Sequence, residues 1–542
     1  MSKGQKWFAA VFILLFLGFI MLRATTTTDR AYRITDTDKE ENAASDGEST
    51  DFFQTAVEGA GSLVNSEEQP DLRFSDTITL WYADESLKEY LESEALSFQG
   101  EHGIKIDPVL VSGVELLEQI NKASVYADEP AKEGEEKTAP PDIYITPHDN
   151  LLKAYYAGLA VPVTDAEVVV VPSNYPQTAI NAVTCSDKVV GYPFYYETNY
   201  LLYNKTYMAN IAKQKIEDES IPEPDEMPDG EKEVAETIEV SDEEVEEAVA
   251  ALEEESDPMG DEDQTSDPQV LERLATMIPA TITDITTFAN NYDAPDTVEA
   301  VFKWDVTDVF YNYFFVGNYM SVGGEHGDDN TIFNIYNQQA VDCLSVYQDM
   351  NQYFSIDTKD VSYDSILQDF IDGKLVFTVA TTDAIARIEQ AKAEGSFEFE
   401  YGVAVLPDIS TTLKARGMSV TNSVVVNGYS DKADIAMTFA HYIAYTKADN
   451  LYRKSGKIPC RKYISFDNPE ISNIAAEYEK SVPLPKMVEA SDFWVQLEIA
   501  FTKVWNGADP DATLKELADT IGSQIDELDY HTPVQEAITV GM

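Results

Sequence analysis

Only three cysteines occur in 542 residues, Cys185, Cys343 and Cys460, and their odd number and wide spacing build neither a zinc site nor a disulfide framework. One disulfide is open to them; the plainer reading is three buried thiols acting as small hydrophobes. Histidine is also scarce, five residues dispersed along the chain. There is no His-Glu-x-x-His, no Gly-x-Ser-x-Gly and no glycine-rich phosphate loop. No catalytic residue, no metal and no cofactor is expected. Basic residues are few as well, 37 Lys and Arg against 98 Asp and Glu, for a formal charge of −61. A chain without clustered cations cannot hold a phosphate backbone, which excludes nucleic acid and anionic lipid headgroups as partners.

The acidity is uneven. Residues 216–268 hold 24 Asp and Glu against one Lys, too dense a charge to pack into a core, and read as a solvated, disordered insertion. It is not an EF-hand, because no run in it alternates acidic ligands around a central Gly with a closing Glu. The chain as a whole is 44% hydrophobic and 11% aromatic, enough for a large core in two or three domains.

The N-terminus places an apolar run, Trp7 to Leu22, between Lys3 and Lys6 on one side and Arg23 on the other. Its length falls between a signal-peptide core and a full span of about 20 residues, and Leu-Arg-Ala before Thr25 is a poor cleavage site. Residues 1–24 are therefore expected to be a signal anchor that tethers the chain to the extracellular face of the cell membrane, or to leave it secreted if cleaved. No cysteine near the end of the run offers a lipid attachment. Residues 25–75, rich in Thr, Ser, Asp, Glu and Gly, read as a disordered acidic tether.

Folded structure is expected over 76–530. TITLWYA alternates as a strand, a helical pattern runs from Ser86 to Gly103, and IKIDPVLV is the next strand. Val114 to Ser124 continues helical, and DIYIT is a third strand, so the sheet reads as parallel with right-handed crossovers. Beyond the insertion, IPATITDITTFANNY looks like a capped helix, and TDVFYNYFFVGNYMSVGG like an aromatic-rich helix ending at Gly323 and Gly324. Ser362 to Gly373 is another helix, leading into the strand KLVFTVA. YGVAVLP and SVVVN are strands, and SDKADIAMTFAHYIA is a helix opened by Ser430. DFWVQLEIAFTKVWNG and DPDATLKELADTIGSQID close the chain as amphipathic helices. Helix and strand alternate throughout, which makes the fold α/β.

Between Gly191 and Lys205 the sequence GYPFYYETNYLLYNK packs five tyrosines and a phenylalanine around one carboxylate, Glu197. Aromatic faces stack on sugar rings while a carboxylate accepts from hydroxyls, so the segment reads as a wall for a carbohydrate. The alternative is a buried aromatic strand, since aromatics are common strand formers.

Several segments, in order, resemble the extracellular solute-binding proteins of carbohydrate ABC importers, in particular the maltose and maltodextrin-binding branch. They are ITLWYADESLKEYLESEALSFQGEHGIKI, PPDIYITPHDNLLKAYYAGLAVPV, KVVGYPFYYETNYLLYNK, DGKLVFTVA, YGVAVLPD, SDKADIAMTFAHYIA, KSGKIPCRK and MVEASDFWVQLEIAFTKVWNG. The resemblance implies a two-lobed periplasmic-binding-protein-like fold, with hinge strands and a central ligand cleft that closes around ligand. Lobe one would hold about 77–195 plus 418–463. Lobe two would hold about 196–417 plus 464–530, with the insertion inside it.

The resemblance also implies site residues. Asp149, in His148-Asp149-Asn150 after the strand DIYIT, matches a sugar-binding aspartate, and the alternative for it is a helix N-cap. Glu197 matches a sugar-binding glutamate near the inter-lobe crossing, with Tyr195 beside it. Trp494 matches a ring-stacking tryptophan, the alternative being a core aromatic. Trp81, Tyr82, Asp84 and Glu85 would line the cleft opposite, with Ser86 where the resemblance implies the basic half of an acidic–basic pair. Asp383 stands near a position where a second tryptophan is implied, and Trp304, Tyr311, Tyr313 and Phe314 are further stacking or core candidates. The function implied is capture of a sugar or oligosaccharide, maltodextrin-like, for delivery to membrane permease subunits. The alternatives are a membrane-anchored surface glycoside hydrolase using two carboxylates about 5 to 10 Å apart, or a tethered sugar sensor.

Overall fold

The computed structural model describes residues 77–125, 139–220, 265–359, 361–487 and 492–526. The apolar N-terminal run, the acidic tether and the greater part of the acidic insertion lie outside the described residues.

A parallel unit opens the structure: β1 (Thr77–Tyr82), β2 (Lys105–Leu110) and β3 (Ile143–Pro147), with β1 paired to both neighbours. The helix Lys88–His102 crosses from β1 to β2 and stops at Gly103, whose φ of 73° is the left-handed conformation that glycine adopts without penalty. The hairpin β4 (Thr184–Cys185) and β5 (Lys188–Val189) then leads into β6 (Tyr192–Asn204), the longest strand.

β6 joins the two halves of the sheet. Its residues Tyr192–Thr198 pair with β12 (Met418–Val426), and from Asn199 onward it pairs with β10 (Leu375–Thr381) and β11 (Tyr401–Ala404), all antiparallel. The handover falls between Thr198 and Asn199. β7 (Ala300–Phe302) lies parallel to β10, and β13 (Val482–Pro483) parallel to β12. The sheet order is β2-β1-β3-β12-β6-β10-β7. It is mixed rather than parallel, because β12 runs antiparallel to β3 and to β6.

Local chemistry accounts for several helix starts. Thr281 and Asp284 form a reciprocal capping box for the helix Ile282–Asn291, and Ser362 with Ser365 does the same for Tyr363–Ile371. The helix expected to open at Ser430 begins at Ala433; the Ser430 hydroxyl donates to Asp142 Oδ1 at 2.6 Å and accepts from Lys432 N at 3.1 Å in the turn that precedes it. The segment expected to be one aromatic-rich helix through Gly324 is broken. A short helix Val309–Asn312 and a 3₁₀ turn Tyr313–Phe315 give way to the hairpin β8 (Ser321–Gly323) and β9 (Asp329–Asn334). Gly323 and Gly324, at φ 79° and 69°, turn this hairpin instead of ending a helix.

The aromatic run from Gly191 is a core strand. Along β6 every side chain is buried except that of Glu197, which is partly exposed. A central strand covered on both faces loses the alternation that marks a half-exposed one. Tyr196 stacks on Tyr478 with centroids 3.8 Å apart. Trp304 is likewise core, fully buried, edge-on to Trp505 at 5.5 Å, with its Nε1 donating to Asn312 Oδ1 at 2.8 Å. Cys185, Cys343 and Cys460 are free, buried thiols, and burial pushes the Cys185 thiol up to about 11.

Candidate functional site

Strand polarity collects charge at the handover on β6. β1 and β3 end at Tyr82 and Pro147, and β10 ends at Thr381, which pairs with Asn199 two residues beyond Glu197. The loops leaving β1, β3 and β10 carry Asp84, Asp149 and Asp383. A crevice outside the carboxyl ends of strands, where the sheet changes partners, is where open α/β sheets bind ligands.

Asp84 opens a 3₁₀ turn, Glu85–Leu87, accepting from Ser86 N at 3.0 Å and from the Ser86 hydroxyl at 2.7 Å. Its other oxygen meets Lys457 Nζ at 2.7 Å. Burial alone would raise the Asp84 carboxyl, but the ammonium and the Ser86 hydrogen bonds outweigh it and hold the group below the usual carboxylate range. Lys457 follows Gly456, whose φ of 71° ends the helix Leu451–Ser455, and the chain beyond it is pinned to β6 where Tyr196 N donates to Ile458 O at 3.2 Å. Lys457 Nζ also lies 3.7 Å from Glu197 Oε1 and 5.3 Å from the centre of the Tyr195 ring. Tyr195 itself is buried, and burial, with the negative charges of Asp84 and Glu197, raises its hydroxyl well above the usual tyrosine range. Burial opposes the charge on Lys457, and the facing carboxylates of Asp84, Glu197 and Asp383 raise its affinity for the proton above the ordinary lysine range.

Glu197 keeps 39% of its side chain open. Burial of the carboxyl raises its pKa, Lys457 works against that, and the negative charges of Asp84 and Asp383 add to the rise. Asp383, the first residue of the helix Asp383–Ala393, accepts from the Tyr363 hydroxyl at 2.7 Å and lies 3.5 Å from Arg387. Arg387 is held more closely by Asp364, at 2.7 Å. Burial raises the Asp383 carboxyl despite these donors. Tyr363 stacks on Tyr311 at 4.8 Å and 18°. A row of acceptors thus lies at the end of the sheet where β6 changes partners, with Tyr363 partly exposed beside Asp383 and stacked on the buried Tyr311, an arrangement suited to a ligand with many donors and an apolar face.

Asp149 stands two residues past Pro147, and Glu197 two past Tyr195, and both Pro147 and Tyr195 pair with Asn422 of β12. Asp149 is not an N-cap: the helix Leu151–Tyr156 has no side-chain cap. Its Oδ1 is buried with no hydrogen-bond partner among the described residues, and burial raises its carboxyl.

His148 is fully buried; its Nδ1 accepts from Thr421 N and its Nε2 donates to Leu484 O, both at 3.1 Å. Burial, helped by the charge of Lys486, lowers its pKa to about 3. It is a neutral cross-link holding β3, β12 and the chain after β13 together, with no nitrogen left for a ligand. Tyr82 is 2% exposed, a core residue beneath the site, while Glu85 is exposed in the 3₁₀ turn. Trp494 is partly exposed at the start of the helix Phe493–Trp505, edge-on to Tyr313 at 5.4 Å and 70°. The segment carrying Tyr313 is tied to the crossing by Asn199, whose amide donates to Phe310 O.

The structure therefore unites Asp84, Glu197 and Asp383, with Lys457 as the shared cation. Lys457 supplies the basic partner for the acidic residue after β1 that Ser86 does not. No sequence signal joins positions 84 and 457, and Tyr363 carries no motif. Among the described residues no group of three or more His, Cys, Asp or Glu is arranged to hold a metal ion.

The family described as bacterial extracellular solute-binding protein matches residues 114–475. A maltodextrin-binding protein of Bacillus subtilis (strain 168) is 23% identical over 206 residues, 36% of this chain and 48% of that protein, so the match spans about half of that relative's length. Among solved structures, an extracellular solute-binding protein from Staphylococcus aureus in complex with maltose superposes with a TM-score of 0.60 at 16% identity, covering 85% of this chain and 99% of that one. A maltose-binding periplasmic protein from Listeria monocytogenes, also with maltose, gives 0.58 at 18% identity, covering 84% and 98%. These likenesses establish the fold as α/β and two-lobed, of the periplasmic-binding-protein kind.

Proposed function

Because this chain belongs to the bacterial extracellular solute-binding proteins, we propose that it captures a sugar or oligosaccharide outside the cell and delivers it to the permease of an ABC importer. The observation that carries the reading is the convergence of Asp84, Glu197 and Asp383 on Lys457 beside the stacked Tyr311–Tyr363 pair, at the strand that changes sheet halves. Carboxylates accept from sugar hydroxyls, and aromatic faces cover the apolar face of a sugar ring. The relatives named above include proteins described as maltodextrin-binding or solved with maltose, which makes an α-linked glucose oligomer the first ligand to test.

In this reading Asp149, Glu197, Asp383 and Glu85 are polar contacts, and Trp494 and Tyr363 are stacking surfaces, with the buried Tyr311 backing Tyr363. Tyr195, Tyr82 and His148 support them from below. Lobe one takes about 77–195 plus 418–463, lobe two the remainder of the folded chain, and the handover at Thr198/Asn199 is part of the hinge. The protein performs no chemistry on its ligand. The N-terminal apolar run anchors it to the membrane, with the bulk of the chain outside. Incubating the purified chain with oligosaccharides and analysing the products tests this. A saturable tryptophan fluorescence change without cleavage supports the binder, and a ladder of shortened products supports a glycoside hydrolase instead.

A further inference from the structure

The charges around the site do not balance. Lys457 contacts Asp84 at 2.7 Å and Glu197 at 3.7 Å, so its single positive charge is shared by two carboxylates. Arg387, the nearest cation to Asp383 at 3.5 Å, sits closer to Asp364, at 2.7 Å. Four formal negative charges thus face two positive ones, with the deficit resting on Glu197 and Asp383. These two carboxylates come from different elements, β6 and the start of the helix Asp383–Ala393, each two residues from the antiparallel pair Asn199 and Thr381, and the negative charge of Asp383 raises the Glu197 carboxyl. A third acceptor stands apart from this network: Asp149 Oδ1 is buried and has no donor among the described residues. Tyr363 gives its hydroxyl proton to Asp383, and Lys457 contacts the carboxylates of Asp84 and Glu197, so these two donors are committed.

Among the described residues such a crevice offers acceptors and negative potential; the cations that act on Glu197 and Asp383 are Lys457 and Arg387, both held by other carboxylates, and Lys153 acts on Asp149. A carboxylate or phosphate brought into it would be desolvated beside like charges, which costs more than any contact there returns. A protonated amine gains from both carboxylates and gives Asp149-type acceptors a donor. Resting on the reading of this crevice as a saccharide site, we infer that the ligand is an amine-bearing saccharide whose protonated amino group sits between Glu197 and Asp383, and that sugar acids and sugar phosphates are excluded.

The test is calorimetric titration of the full chain with maltotetraose, with derivatives carrying one amine at each sugar unit in turn, and with the matching carboxylate derivatives. At least one amine derivative is expected to bind about tenfold more tightly than maltotetraose and the carboxylates at least about tenfold more weakly, with the preference shrinking as salt rises. In Asp383→Asn the ratio of amine to neutral affinity should fall towards one. That ratio is independent of how much of the variant is folded, and Glu197→Gln gives the same readout if Asp383→Asn is not recovered. If maltotetraose binds and no amine derivative binds better, or the carboxylates bind equally well, the charge inference is overturned while the sugar reading stands. If no saccharide of any charge binds, both fall.

Discussion

The ammonium of Lys457 lies 2.7 Å from the carboxylate of Asp84, joining the end of the first strand to a loop near the other end of the folded chain. The same ammonium reaches Glu197 at 3.7 Å, so one cation sets the electrostatics of the crevice. Lys457→Met leaves these carboxylates facing one another without it. The variant should lose about 1 to 3 kcal/mol of stability at neutral pH and regain part of it on mild acidification, as the carboxylates take up protons. Melting curves across pH check this, and a loss that does not change with pH would contradict the shared-cation account.

Trp494→Ala should cost at least about 1 kcal/mol of ligand affinity through lost stacking and burial, with little change in melting temperature because Trp494 is partly exposed. Titration beside thermal melting separates the two effects. Unchanged affinity in a folded variant removes Trp494 from the site and leaves its contact with Tyr313 as packing.

His148 has an ordinary value of 6.5 and is lowered to about 3 in the fold. The unfolded chain therefore binds a proton there that the native state refuses. Its contribution is complete above pH 6.5 and is lost as pH falls towards 3, at up to about 1.4 kcal/mol per pH unit inside that window. His148→Gln, which retains a donor and an acceptor, should flatten that part of the stability profile. A profile identical to the parent's would show that the imidazole is not held neutral.

Trp304→Ala removes a fully buried ring from the Trp505 contact and should destabilise by about 3 to 5 kcal/mol. Chemical denaturation measures the loss, and ligand affinity of the remaining folded fraction should match the parent's. A clear affinity loss in that fraction would return Trp304 to the site.

Signals that act over a few residues were legible in the sequence. Thr281 with Asp284, Ser362 at its helix start, and the strands around Ile78 and Ile143 stand where capping chemistry and alternation put them. Tertiary context decided the rest. Ser430 sits in the turn before its helix, bonded to both Asp142 and Lys432 N, and Gly323 and Gly324 serve a hairpin. The tyrosines of β6 carry the composition of a sugar wall, yet helices and neighbouring strands bury them, and only Glu197 among them keeps an open face. Glu197 and Asp149 were reachable through the resemblance. The pairing of Asp84 with Lys457, and the support of Asp383 by Tyr363, depend on which loops the fold brings together, and no local pattern encodes that.

The most direct test is calorimetric titration of the purified full chain with a panel of neutral oligosaccharides, followed by product analysis of the same mixtures. Saturable binding near micromolar, about −8 kcal/mol, with every oligosaccharide recovered intact and with affinity weakened in Glu197→Gln, is the predicted result. An absence of binding to any saccharide, or recovery of shortened products, would contradict the assignment of this crevice as the sugar site of a solute-binding protein.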